Sequence, residues 1–277
     1  MTGRAVGRAA ATAVLAVLLV ACGGGAGGGT PAASPSSSAV DPTALPSPTD
    51  RSPHGVLMAA QLAMHTARRA RFSGNLGSDT VAGMLFWAPK TVLELKRPGT
   101  TEQVVVLDTT AYRGGDAATA ARQGGRHWER FTAAPGPAGV HEVPYASAFD
   151  RLNPVVALTA AVAASAPQRL GEEQLDDSTV QHYRADVTAA DYAAAQTQLT
   201  PARRTALLAS LGDGGVVTLD LWLNGSDQLV QLHRTGSGAA GQLDDTLRFT
   251  DFAGPLSVQA PAESDTRDAA GQALPPL

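Results

Sequence analysis

The chain has 277 residues, 44% of them apolar but only 5% aromatic and 17% charged, against a usual charged share of about 25%. With 21 Lys+Arg against 25 Asp+Glu, the net charge of −4 argues against a nucleic-acid binder, which needs a basic face. A single cysteine excludes an internal disulfide, a CxxC redox pair and a four-cysteine zinc site.

Residues 1–21 have the layout of a signal peptide: Arg4 and Arg8, then an uncharged, largely apolar run from Ala9 to Ala21, then Cys22. At ~1.5 Å per residue the run is shorter than the ~30 Å hydrocarbon core that a permanent span must cross. Residues 22–50 follow as a tether. Gly, Pro, Ser and Thr supply 19 of the 28 residues after Cys22, too little apolar surface to offset the entropy of ordering. As a flexible coil it reaches roughly 30 Å.

From residue 51 to 261 the pattern is that of one β-rich domain with helical inserts. A helix is expected over Gly55–Arg69 after Pro53. Short strands follow at Arg71–Leu76, Val81–Trp87, Thr91–Leu95, Gln103–Leu107, Thr110–Arg113 and Trp128–Phe131, parted by Gly, Pro, Asp and Thr clusters. Asn153-Pro154 opens an apolar helix to about Ala164, the pair acting as N-cap and first helical residue. A strand at Val180–Val187 precedes helical segments at Thr188–Gln198 and Thr200–Leu211.

Val216–Leu223 alternates, with Val217, Leu219, Leu221 and Leu223 on one face. Asn224-Gly225 is a hairpin signal because a type I′ turn needs two positive φ angles. Gln228–Arg234 and Asp245–Phe252 complete the strands, and residues 262–277 are expected to form a loose tail. Antiparallel strands with one apolar face must cover it, and the helices are the available cover. Met84, Phe86, Leu93, Leu95, Val104, Val106, Leu219, Leu221, Val230, Leu232, Leu247 and Phe249 are the expected inward face, and the candidate lining of any cavity.

No GxSxG, HExxH or Walker A motif occurs. Of the six histidines (His54, His65, His127, His141, His182, His233), no two have ligand spacing on one element. His65 is expected on an exposed helix face, and His182 and His233 on the polar side of strands. The adjacent acids Glu172-Glu173, Asp176-Asp177 and Asp244-Asp245 are expected in solvated loops, and Trp128 and Trp222 in edge packing. No catalytic residue, metal or cofactor is assigned, and the chain is not expected to be an enzyme.

Leu19-Val20-Ala21-Cys22 resembles the bacterial lipobox. The resemblance implies a diacylglyceryl group on Cys22 as the mature N-terminus and a lipid-anchored place on the outer face of the cell membrane. Over residues 56–261 the order of elements is similar to that of actinobacterial LppX/LprG-type lipoproteins. They are similar in fold to LolA/LolB carriers and RseB-type sensor domains. The matching pieces are Tyr183–Val187 running into a helix, Leu221-Trp222-Leu223 before a hairpin, and the closing stretch from Thr250 to Pro261. The resemblance implies an α+β fold, a strongly curved antiparallel β half-barrel with helices on its concave side. It also implies a monomer whose cavity takes a lipid or lipid-linked ligand, for carriage or transport. The alternative is a filled-core module that senses or binds a membrane protein partner.

Overall fold

The structure, a computed structural model, describes residues 50–132, 143–212, 215–238, 241–269 and 272–275. The first helix, α1 (Pro53–Ala67), begins where the sequence expects it. The Ser52 side chain accepts from Gly55 N–H, and the helix ends where Arg68 turns left-handed at φ 63°. The face carrying Val56, Leu57, Ala60 and Met64 is buried.

Six strands then run as a meander: β1 (Arg69–Leu76), β2 (Asp79–Phe86), β3 (Val92–Lys96), β4 (Gln103–Leu107), β5 (Thr110–Gly114) and β6 (Trp128–Thr132). Between β5 and β6 lies α2 (Ala117–Arg122), capped by Asp116. The middle helices are α3 (Ala146–Leu152) and α4 (Pro154–Ala163), the latter capped by Asn153 as its sequence signals. The second half comprises β7 (Gln168–Leu175), β8 (Ser178–Thr188), α5 (Ala189–Ala194), α6 (Pro201–Leu211), β9 (Val216–Leu223), β10 (Leu229–Gly238) and β11 (Gly241–Thr250). A short β12 (Thr266–Asp268) closes the series. Thr188 and Thr200 cap α5 and α6 through their hydroxyls.

All twelve strands form one sheet in the order β12-β6-β5-β4-β3-β2-β1-β11-β10-β9-β8-β7. The last long strand, β11, thus returns to the middle and joins the two meanders by pairing with both β1 and β10. The fold is α+β, and the sheet is open and does not curl into a closed barrel: β7 and β12 are its edges. The antiparallel expectation needs one correction, because β12 runs parallel to β6.

That pairing lies inside the tail expected to be loose. Ala269 is buried beyond it, and its N–H donates to the Arg130 carbonyl. Residues 45–277 form one compact unit. Among the described residues no helix is long and apolar enough to cross a membrane.

Three local expectations are corrected. Strand β7 was not expected, because its polar text (QRLGEEQL) lacks an apolar face; it is an edge strand, largely exposed, and pairing with β8 alone defines it. The β9–β10 connection is not a two-residue turn. Asn224 spends its side-chain oxygen on the N–H groups of Ser226 and Gln228, and the left-handed residue is Asp227 at φ 56°, not Gly225.

The third concerns β2, where Val81 and Leu85 are the buried positions and Met84 and Phe86 stand on the opposite face. A one-residue offset reverses every side chain because the strand period is two. Gly83, between the two buried residues, has no side chain to mark the inward face. A Cβ there would lie 1.8 Å from the Glu94 carbonyl oxygen and 3.1 Å from Phe72.

Candidate functional site

One face of the sheet and the helices α1, α3, α4, α5 and α6 enclose a continuous apolar layer. Of the expected inward residues, Leu93, Leu95, Val104, Val106, Leu219, Leu221, Leu232, Leu247 and Phe249 are buried in it. Met84 and Phe86 are not, and Arg69 lies over the Phe86 ring, its guanidinium carbon 6.0 Å from the centroid. Val230 is also displaced: the register between β9 and β10 shifts between Leu229 and Gln231, so Leu229 is buried instead.

The helix side of the layer is built from small residues, with Ala60 on α1, Ala157, Ala160 and Ala161 on α4, and Ala189 and Ala193 on α5. As described, the layer is filled. Two of its best-formed depressions have room for about 10 Å³ and about 30 Å³, whereas pockets for drug-sized ligands run to ~300 Å³ and more.

A charged cluster interrupts this layer at its α3 end, where the sequence gave no warning. Arg234 points inward from β10 and is fully buried. It donates to Asp245 on β11 (Nε···Oδ2 3.1 Å, with a second contact from Nη2), to the Tyr192 hydroxyl on α5 at 3.1 Å, and to the Arg151 carbonyl on α3 at 3.1 Å. Asp245 also accepts from the Arg151 guanidinium and from Gly77 N–H at 3.0 Å.

Asp245 was expected in a solvated loop, yet its side chain is 0% exposed. Burial alone would raise the Asp245 carboxyl, but Arg234 and Arg151 outweigh it and hold the group below the usual carboxylate range. One residue before Arg151, Asp150 pairs with Arg203 of α6. There burial outweighs the guanidinium and pushes the carboxyl up. Burial likewise raises the Tyr192 phenol.

A second cluster lies on the other face of the sheet, across β7, β8 and β9. The imidazole of His182 stacks on Trp222 with ring centroids 4.3 Å apart. Its Nδ1 lies 2.6 Å from Glu173 Oε1 and its Nε2 2.8 Å from Asp220 Oδ1. The Trp222 indole donates to Glu173, and Arg184 donates through two nitrogens to Asp220. Hydrogen bonds from Trp222 and then His182 hold the exposed Glu173 carboxyl below its usual range.

Trp222 is therefore a packing residue of the outer sheet face, and Glu173 is a strand residue, not a loop acid. Replacing His182 with Ala removes a partner from both acids and the plane on which Trp222 stacks. It is expected to lower the unfolding free energy by about 1–3 kcal/mol and to change Trp222 emission, both read in a urea titration followed by fluorescence.

His54 and His65 are exposed on α1, His127 pairs with Asp265, and His233 on the outer face pairs with Asp244. Asp176 and Asp177 occupy the β7–β8 turn. Trp128 on β6 packs beside Gly115. No group of three potential metal ligands occurs among the described residues. Cys22 and His141 lie outside them.

No family model matches the chain. It is 27% identical over 162 residues to an uncharacterized 31.2 kDa protein of the rplA-rplJ intergenic region in Streptomyces griseus, covering 56% of this chain and 52% of that one. The match thus spans about half the length of that curated relative. Among solved structures it is similar to LprF from Mycobacterium bovis, with a TM-score of 0.47 at 14% identity over 76% of this chain and 97% of that one. It is also similar to the Mycobacterium tuberculosis lipoprotein LppX, with a TM-score of 0.40 at 11% identity over 76% of this chain and 100% of that one. LppX is the protein whose type the sequence resemblance names.

Proposed function

We propose that the protein is an extracytoplasmic lipoprotein, anchored through a diacylglyceryl group on Cys22 and a flexible tether. Its sheet and helices hold an apolar ligand, an acyl chain or lipid-linked molecule, between them, and the tether keeps this layer close to the membrane that supplies it. The observation that carries the reading is the single apolar layer under an alanine-built helix cover. Small side chains interlock weakly, so the helices can draw away from the sheet without breaking a jigsaw of large residues. A chain entering the gap gains ~25 cal/mol for each Å² of apolar surface withdrawn from water. Two acyl groups on one cysteine supply the double signal that stable anchoring needs, which matters because the acidic body offers little electrostatic attraction to anionic lipid.

One observation favours a second reading. The layer is filled, with Leu57, Met64, Leu85, Leu158, Leu219 and Leu221 all completely buried, so a ligand must displace protein side chains to enter. A permanently filled layer suits a module that binds a membrane protein partner through its surface.

Native mass spectrometry of the full chain carrying Cys22→Ser, which cannot be acylated, separates the two. A co-purifying lipid at unit stoichiometry, or saturable uptake of added fatty acid, supports the carrier. A bare protein that takes up none overturns it in favour of the interaction module. The same variant tests the anchor: it is expected to appear in the medium while the parent chain partitions with membranes, and an unchanged distribution removes the anchor.

A further inference from the structure

The charged cluster at the α3 end of the apolar layer carries one more positive than negative group. Three guanidiniums, those of Arg151, Arg203 and Arg234, are paired with two carboxylates, Asp150 and Asp245. The single carboxylate of Asp245 serves two of them. The side chains of Arg151 and Arg203 remain 32% and 24% exposed, whereas that of Arg234 is at 1%.

Arg203 and Asp150 also line a depression between α3 and α6 of about 30 Å³, with Ser147 and Ser210 on its wall and Leu207 at its apolar side. Leu207 is itself a member of the core layer, as is Phe149 on the facing helix. The gap between α3 and α6 therefore runs from a positively charged rim to the apolar interior within one side chain's length.

We infer that this gap is the polar end of the ligand site, and that it selects amphiphiles with an anionic headgroup, a carboxylate or phosphate held by Arg151 and Arg203 while the apolar chain lies toward Leu207. The inference rests on the carrier reading above and names the chemistry of its ligand. An uncompensated charge in a partly dry site is costly unless an opposite charge meets it. An incoming anion supplies that charge, and guanidiniums bind carboxylate and phosphate through paired hydrogen bonds. The Asp150 carboxyl, pushed up by burial, competes less for Arg203 than an ordinary aspartate would.

The test compares palmitate with hexadecanol, which carry the same chain on a charged and a neutral head, by displacement of a fluorescent fatty-acid probe from the full chain carrying Cys22→Ser. Palmitate is expected to bind about tenfold or more tightly, and added salt to weaken palmitate alone. The preference is expected to fall in Arg203→Gln and Arg151→Gln, to persist in Arg203→Lys, and hexadecanol affinity to stay as in the parent.

Arg203→Gln is the milder change, because it leaves behind only the carboxyl that burial already disfavours as an anion. It decides the matter if Arg151→Gln does not fold. Equal affinity for the two amphiphiles overturns the headgroup site and leaves the carrier standing. Binding of neither overturns the carrier itself. Inorganic phosphate binding at the cluster without displacing the probe would show a free-anion site in place of an amphiphile site.

Discussion

Asp245→Ala is expected to lower the unfolding free energy by about 3–5 kcal/mol, the range found when one partner of a buried ion pair is removed. The carboxylate accepts from Arg234, Arg151 and the Gly77 amide. Its loss strands the guanidinium of Arg234 in the core, with only the Tyr192 hydroxyl and the Arg151 carbonyl left. Denaturant unfolding measures the change. Arg234→Met should cost less, because Asp245 keeps Arg151 as a partner and no isolated charge remains; an Arg234→Met penalty as large as that of Asp245→Ala would refute this ordering.

The same group sets an acid limit. The folded carboxyl lies below its ordinary value, so its stabilising contribution is complete above the unfolded pKa of ~3.9 and is lost as pH falls through the lower, folded one. Asp150 acts in the opposite sense. Its folded value is raised, so it favours the fold below the unfolded pKa, and that contribution fades as pH rises through the folded value. Asp150→Asn should therefore cost less stability near neutral pH than Asp245→Asn, an ordering that two unfolding curves at one pH will decide.

Leu85→Ala is expected to cost about 2–5 kcal/mol, the range for truncating a buried leucine, because the transfer free energy of the lost methyls adds to that of the cavity left behind. Leu85 is completely buried on the inner face of β2. Met84→Ala, one position away, should stay near 1 kcal/mol, since Met84 stands on the outer face with partial exposure. If the two costs were reversed, the register of β2 against β1 and β3 would be wrong, and with it the inner face of this part of the sheet. Loss of Leu85 should also enlarge the apolar layer. In the carrier reading, the variant should then gain capacity for an apolar probe relative to Met84→Ala.

Much of the architecture was legible along the chain because its signals are local. The caps Ser52-Pro53, Asn153-Pro154, Thr188 and Thr200-Pro201 start helices wherever they occur, since a side-chain oxygen satisfies an amide that the first turn leaves unpaired. The alternation of Val217, Leu219, Leu221 and Leu223 fixed the inner face of β9, because each residue on that strand has a side chain that declares its preference. Those determinants need no knowledge of the partners.

What the sequence withheld depends on partners far along the chain. Edge strand β7 has no apolar face of its own, and only pairing with β8 makes Glu172 and Glu173 strand residues. In β2, glycine at the inward position removed the signal, and Met84 and Phe86 supplied a false one. Above all, Arg234 and Asp245 look like surface residues of two strands. Only the tertiary structure brings α3 and α5 over them, and only there do a carboxylate, two guanidiniums and a phenol satisfy one another away from water. The sequence by itself determined an α+β chain with an apolar sheet face and helices to cover it. The tertiary structure decided where charge enters that cover, because the worth of a buried ion depends on its neighbours in space and not on those in sequence.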